Sequence, residues 1–292
     1  MLLAAVLSPV YAQVSVEVKL EQDDYLLGEP LVAAVRITNR SGQTLRLGAE
    51  SDWLTFTMSS RDGSVVAKNS EAPVAGEFEL PSSKTAIKRV DLQPWFLLSR
   101  PDHYTVRAMV RIPGWEHDWA SSPKGFDITQ GATLWQQDFG VPAASGSSNS
   151  LPDVRKYSLQ QASCLKGQLR LYLRVTDADG ARIFKVCAIG PLISFSKPEA
   201  RLDKSSDLHV LFQNGPSSYS YTSFNPDGDL LLRQTYDIAG ARPRLRADEA
   251  GVVSVANGVR RLTPQDVPPS EPAPVSAPMV KPLLPPNAAQ QP

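Results

Sequence analysis

The chain of 292 residues is poor in the side chains that most enzyme chemistry requires. It holds two cysteines, Cys164 and Cys187, and three histidines, His103, His117 and His209, none spaced to bring two onto one metal ion. Without a CxxC pair, structural zinc and dithiol redox chemistry lack their ligands. A Gly-x-Ser-x-Gly elbow, a phosphate-binding loop and a Gly-x-Gly-x-x-Gly turn are also missing. Serine-hydrolase, nucleotide-phosphate and dinucleotide chemistries therefore have no anchor. Excess charge is lacking as well: 30 Lys and Arg balance 30 Asp and Glu, so no global field draws nucleic acid or an anionic membrane. Beyond residue 13 no apolar run reaches the roughly 18 residues that cross a bilayer, and no transmembrane segment is expected. These absences predict a non-enzymatic chain with no metal and no cofactor. A hydrolase with an unrecognised acidic pair stays open, because glycosidase carboxylates come from distant strands.

What is present is β patterning. Val14, Val16, Val18 and Leu20 alternate with polar residues, and Leu31, Ala33, Val35 and Ile37 do so again after the turn at Gly28-Glu29-Pro30. Further strands are predicted over 44–47, 53–58 with Leu54, Phe56 and Met58 on one face, 65–67, 86–92, 104–112 and 126–129. Short strands with turn residues at regular intervals, and almost no helical periodicity, predict an all-β antiparallel sandwich over 14–131. A Ser/Gly-rich stretch between Pro142 and Pro152 marks a predicted linker, 132–151, which would let the two halves move relative to one another. A second antiparallel β domain is predicted over 152–262, with hairpin turns at Asp177-Ala178-Asp179-Gly180 and Asn225-Pro226-Asp227-Gly228. From 263 to 292 about a third of the residues are proline, the composition of a disordered tail.

Residues 1–13 read as a signal peptide remnant. An apolar stretch, Pro9, and small residues at Val10 and Ala12 before Gln13 are how an export signal ends. The basic segment that should precede it is missing, which leaves an upstream start or an apolar lead-in to the first strand. Export predicts an extracytoplasmic location, periplasmic or secreted. There Cys164 and Cys187, flanking the Gly180 turn, could form a disulfide worth roughly 3 kcal/mol; the alternative is two buried free thiols.

Two resemblances follow from longer runs. Tyr25-Leu26-Leu27-Gly28-Glu29-Pro30, then Asn39-Arg40-Ser41-Gly42, Asp52-Trp53-Leu54-Thr55-Phe56, Arg61-Asp62-Gly63 and Tyr104-Thr105-Val106-Arg107-Ala108 resemble bacterial Ig-like sandwiches. Among these they are most similar to the module named after the intracellular proteinase inhibitor of bacilli. The resemblance implies an Ig-like fold over 14–131 and carries no inhibitory loop to any residue. The run 207–213, with Tyr219-Ser220-Tyr221, the Gly228 turn, Arg242-Pro243 and 251–255, is similar to blades of secreted β-propellers. Residues 152–262 are too few to close a ring, so the resemblance implies two facing blade-like sheets, a divergent sandwich or part of an oligomeric ring.

The candidate contact residues are Trp115, His117 and Trp119 in a turn-rich loop, with Trp135 nearby. Such rings could stack on a sugar or anchor a partner, or could cap the open end of the sandwich. The acidic turns around Gly180 and Gly228 are read as hairpins rather than Ca²⁺ loops. The sequence thus predicts an exported, non-catalytic binding or scaffold protein whose partner, protein or glycan, it does not identify. The alternatives are a proteinase-inhibitor or carbohydrate-binding module, and the oligomeric state stays open.

Overall fold

The computed structural model describes residues 13–141, 153–164 and 168–268, the side chain of Cys164 excepted. The predicted signal remnant, save Gln13, and the proline-rich segment from 269 onward lie outside these residues. The fold is all-β, with one 3-10 turn at Gln93–Trp95 among the described residues. No helix there is long and apolar enough to cross a membrane.

The first unit comprises β1 (Val14–Leu20), β2 (Asp24–Leu26), β3 (Val32–Asn39), β4 (Leu45–Leu47), β5 (Leu54–Ser60), β6 (Phe78–Leu80), β7 (Thr85–Asp91), β8 (Asp102–Val110), β9 (Trp119–Ala120) and β10 (Lys124–Thr129). One sheet runs β1-β3-β7 and the other β2-β10-β8-β5, with β9 beside β8 and a small β4-β6 ribbon apart. The alternation read from the sequence is the reason the sheets share one core. Leu54, Phe56 and Met58 face Val106, Ala108 and Val110 along with Val18, Val35 and Ile37 of the other sheet. Asn39 is fully buried, and its side chain holds the predicted turn by donating to the Gln43 and Leu80 carbonyls and accepting from Ser41. The strand expected over 65–67 is reduced to an isolated bridge from Val65 to Ser59, and Val65 is exposed.

The second unit comprises β11 (Ala132–Gly140), β12 (Val154–Cys164), β13 (Gln168–Asp177), β14 (Ile183–Pro191), β15 (Glu199–Leu202), β16 (Leu208–Gln213), β17 (Ser218–Phe224), β18 (Leu230–Asp237), β19 (Arg244–Ala247), β20 (Val253–Ala256) and β21 (Val259–Arg261). β11 to β14 form one meander, and β15-β16-β17-β18-β21 form another. The two sheets face each other across Tyr157, Leu159, Leu171, Leu173, Val210, Phe212 and their neighbours. On the outer face of the second sheet the β19-β20 hairpin covers Leu211, Tyr219 and Tyr221 through Leu245 and Val253.

Two expectations need correction. The linker does not occupy 132–151: residues 132–140 are β11, paired along its length with β12, so only Gln130 and Gly131 separate the units. The serine-rich segment connects β11 to β12 instead, its ends joined by Val141 N–H donating to the Asp153 carbonyl at 2.8 Å. The units also pack directly, because Leu26 of β2 shares a buried cluster with Ala162, Tyr172 and Val186 of the second unit. The second correction concerns the disulfide. Cys187 is free, and it sits opposite Leu173, itself opposite Leu159. Cys164 lies five residues further along β12, roughly 17 Å away at ~3.4 Å per residue. A disulfide tolerates Cα separations of only about 4.4–6.8 Å, so this register forbids the bridge.

Candidate functional site

An opening on the second unit forms where β14 hands over to β15. Ile193 N–H donates to the Gln213 carbonyl of β16, and Ser196 N–H closes a turn on the Ile193 carbonyl, both at 3.1 Å. Phe195 takes the third place of that turn with φ +66°, a conformation suited to glycine or asparagine. Its ring is fully exposed. An aromatic held out in a left-handed turn costs about 1–2 kcal/mol, and such strain concentrates at ligand clamps.

Behind this turn lies a cleft of about 530 Å³. Leu211 and Tyr219 form its floor, Pro198 and Pro243 its sides, and Lys197, Arg242 and Arg244 its rim. Among the described residues Glu199 is the sole acid in the lining, and both its oxygens are engaged. One accepts Leu245 N–H at 2.9 Å and the other faces Arg244 at 3.3 Å. A second opening of about 530 Å³ shares Glu199 and Arg244 and continues along β15 past Arg201 toward Gln137 of β11. Strand alternation turns Glu199 and Arg201 to this outer face, while Ala200 and Leu202 pack against the core and also border the opening. The trough is therefore a cationic rim over an apolar floor.

Of the tryptophans predicted from the sequence, Trp115 and Trp119 meet and Trp135 lies in the other unit. Trp115 and Trp119 stack edge to face, centroids 5.9 Å apart, and both pack half-buried against the first core. Trp135 joins the core of the second unit, and His117 is exposed. The Trp119 Nε1 atom is buried without a partner. The acidic turns are hairpins: Asn225 Oδ1 accepts the Asp227 and Asp229 N–H groups, while the two carboxylates pair with Arg155 and Lys185. No group of three or more His, Cys, Asp or Glu is placed to hold a metal among the described residues.

One hydrogen-bonded chain has the composition of a proton relay. His209 Nδ1 lies 2.7 Å from the Tyr221 hydroxyl, and Nε2 lies 3.3 Å from Asp203. Tyr221 is buried beneath β20, and burial pushes its phenol up to about 12. Asp203 also caps the turn into β16 by accepting the Ser205 and Asp207 N–H groups. This chain of hydrogen bonds ties β16 to β17 and to the turn at Asp203.

The cleft escaped sequence reading because its walls come from three separated segments, 194–199, 211–219 and 242–244. The alternating Arg242, Arg244 and Arg246 were the signal that could have found it.

No protein-family model matches the chain, and no curated protein matches it. Among solved structures it is similar to the sporulation control protein Spo0M of Bacillus subtilis, at 12% identity and a TM-score of 0.30. That similarity covers 61% of this chain and 91% of Spo0M, and at such a score it bears on neither function nor the details of the fold.

Proposed function

We propose that the chain is an exported, non-catalytic binding or scaffold protein, with an Ig-like first unit and its contact surface in the trough beside Phe195. The observation that carries this reading is the trough itself: an apolar floor, a rim of cations, and an aromatic ring held exposed against its backbone preference. Export rests on the composition of Met1 to Gln13 alone. The short, direct connection through Gln130 and Gly131 suits a scaffold, because it presents the trough at a fixed place relative to the first unit.

Peptide and glycan arrays probed with the whole chain, and with a variant combining F195G and K197E, test the reading. Capture by the native chain that the variant loses supports it. Capture of nothing on either array, or capture equal in the variant, overturns it.

A further inference from the structure

We infer that the trough receives an extended acidic polypeptide segment bearing one bulky apolar side chain, laid alongside β15. This inference rests on the trough being the contact surface, and it names the ligand class. Three independent features converge on it.

The first is the strand edge. Among the described residues β15 has one sheet neighbour, β16, so the backbone groups on its other side have no strand partner there. An extended peptide satisfies such groups by adding a strand, a common mode of peptide recognition. Nucleic acid offers no matching ladder of amides.

The second is local charge. Lys197, Arg201 and Arg242 are exposed and have no acidic partner within ion-pair distance among the described residues, and Glu199 is already engaged. The chain as a whole is neutral, so this cationic rim is a local arrangement rather than a by-product of composition. Carboxylates spaced along an extended segment would meet it. The chain's own segment 269–292 does not fit, since it carries one acid, Glu271, and one base, Lys281.

The third is the floor. Leu211 and Tyr219 are buried at the bottom of the opening, with Pro198 and Pro243 beside them and the Phe195 ring at the mouth. A phenyl or isobutyl group seated there covers the exposed Phe195 ring and the part of Pro198 left to solvent, which gives the acidic segment an anchor and a register.

The test is fluorescence anisotropy of the full chain with a labelled peptide of about ten residues, alternating Glu and Val around a central Phe. Parallel probes are the same peptide with Lys for Glu, one with alternate residues changed to Pro, and a single-stranded oligonucleotide. The acidic peptide should bind saturably, weaken with salt, and lose about tenfold in affinity when Lys197 and Arg242 are both changed to Glu. The Lys and Pro probes and the oligonucleotide should bind far more weakly. Both positions are exposed, and a thermal melt of the variant establishes that it still folds. Equal binding of the Lys peptide or the oligonucleotide, indifference to K197E/R242E, or no binding of the acidic peptide overturns the inference. If the arrays show capture that F195G/K197E abolishes while the acidic peptide fails here, the ligand class is wrong and the trough stands.

Discussion

Arg174 of β13 donates through Nη1 to the Leu27 carbonyl at 2.9 Å, a hydrogen bond between residues 147 apart in sequence that joins the two units. Arg170 adds a second bond to Gln22 at 3.1 Å, beside the apolar cluster around Leu26. Burial lowers the Arg174 pKa, which marks a guanidinium partly withdrawn from water and compensated by the carbonyl it meets. Arg174→Ala should therefore cost about 1–2 kcal/mol and uncouple the units. Calorimetry is expected to resolve two overlapping transitions where the native chain gives one. A single unshifted transition in the variant would show that the seam carries no energy.

Gly28 lies at the same seam with φ +86°, and an added Cβ would come within 2.9 Å of Ile183 Cδ1 and 3.3 Å of Val186 Cγ2. Gly28→Ala then combines a left-handed alanine, about 1 kcal/mol, with crowding of two side chains from the other unit. Urea unfolding should show a loss of roughly 1–3 kcal/mol. Pairing the change with Ile183→Val should recover part of it, because the closest contact is the methyl that substitution deletes.

The Gly28 turn was readable in the sequence, and its partner Ile183 was not. Turns and core strands were legible wherever a single residue type forces the backbone or strict alternation marks a buried face, as at Gly180, Gly228 and Leu54-Phe56-Met58. β11 was hidden by a register shift between Thr133 and Trp135, which lets Leu134 and Trp135 both pack on one core and breaks the period of two. β15 was too short, at four residues, to show a pattern. The trough is a tertiary product: Phe195 looks like any loop aromatic until its positive φ and the position of Arg242 across the opening are known.

Glu29 is buried at 8% exposure, and desolvation raises its pKa despite hydrogen bonds from Leu26 N–H at 2.8 Å and Gln22 Nε2 at 2.9 Å. A carboxyl with a raised folded-state pKa keeps its proton at pH values where the unfolded chain has already released it. Its contribution to stability is therefore full below the ordinary glutamate range and declines as pH rises through the window up to the folded value. Asp24 and Asp207 are shifted in the same direction, so the measurement is a difference. Unfolding free energies across this window should fall more steeply with pH in the native chain than in Glu29→Gln. Parallel slopes would remove Glu29 from the titration.

Burial pushes the Cys187 thiol up to about 11, and the strand register keeps it from Cys164. A protonated, half-buried thiol is a poor nucleophile. Alkylation at pH 8 followed by peptide mass analysis should leave Cys187 unmodified in the folded chain and label it fully in denaturant without prior reduction. Labelling that requires a reductant would reveal a disulfide.

The Trp115 and Trp119 rings decide whether that loop is a platform or a plug. Both are half-buried against the first core, so Trp119→Ala should cost about 2 kcal/mol, short of the roughly 3–5 kcal/mol of a fully enclosed ring. Trp119→Phe separates ring from donor. It keeps the aromatic contact with Trp115 and deletes the buried, unpartnered Nε1–H, whose desolvation costs about 1–3 kcal/mol. Gain and loss then oppose each other, and the phenylalanine variant should melt close to the native chain while the alanine variant melts well below it. If both variants melted like the native chain and glycan capture vanished, the rings would be serving a ligand and not the core.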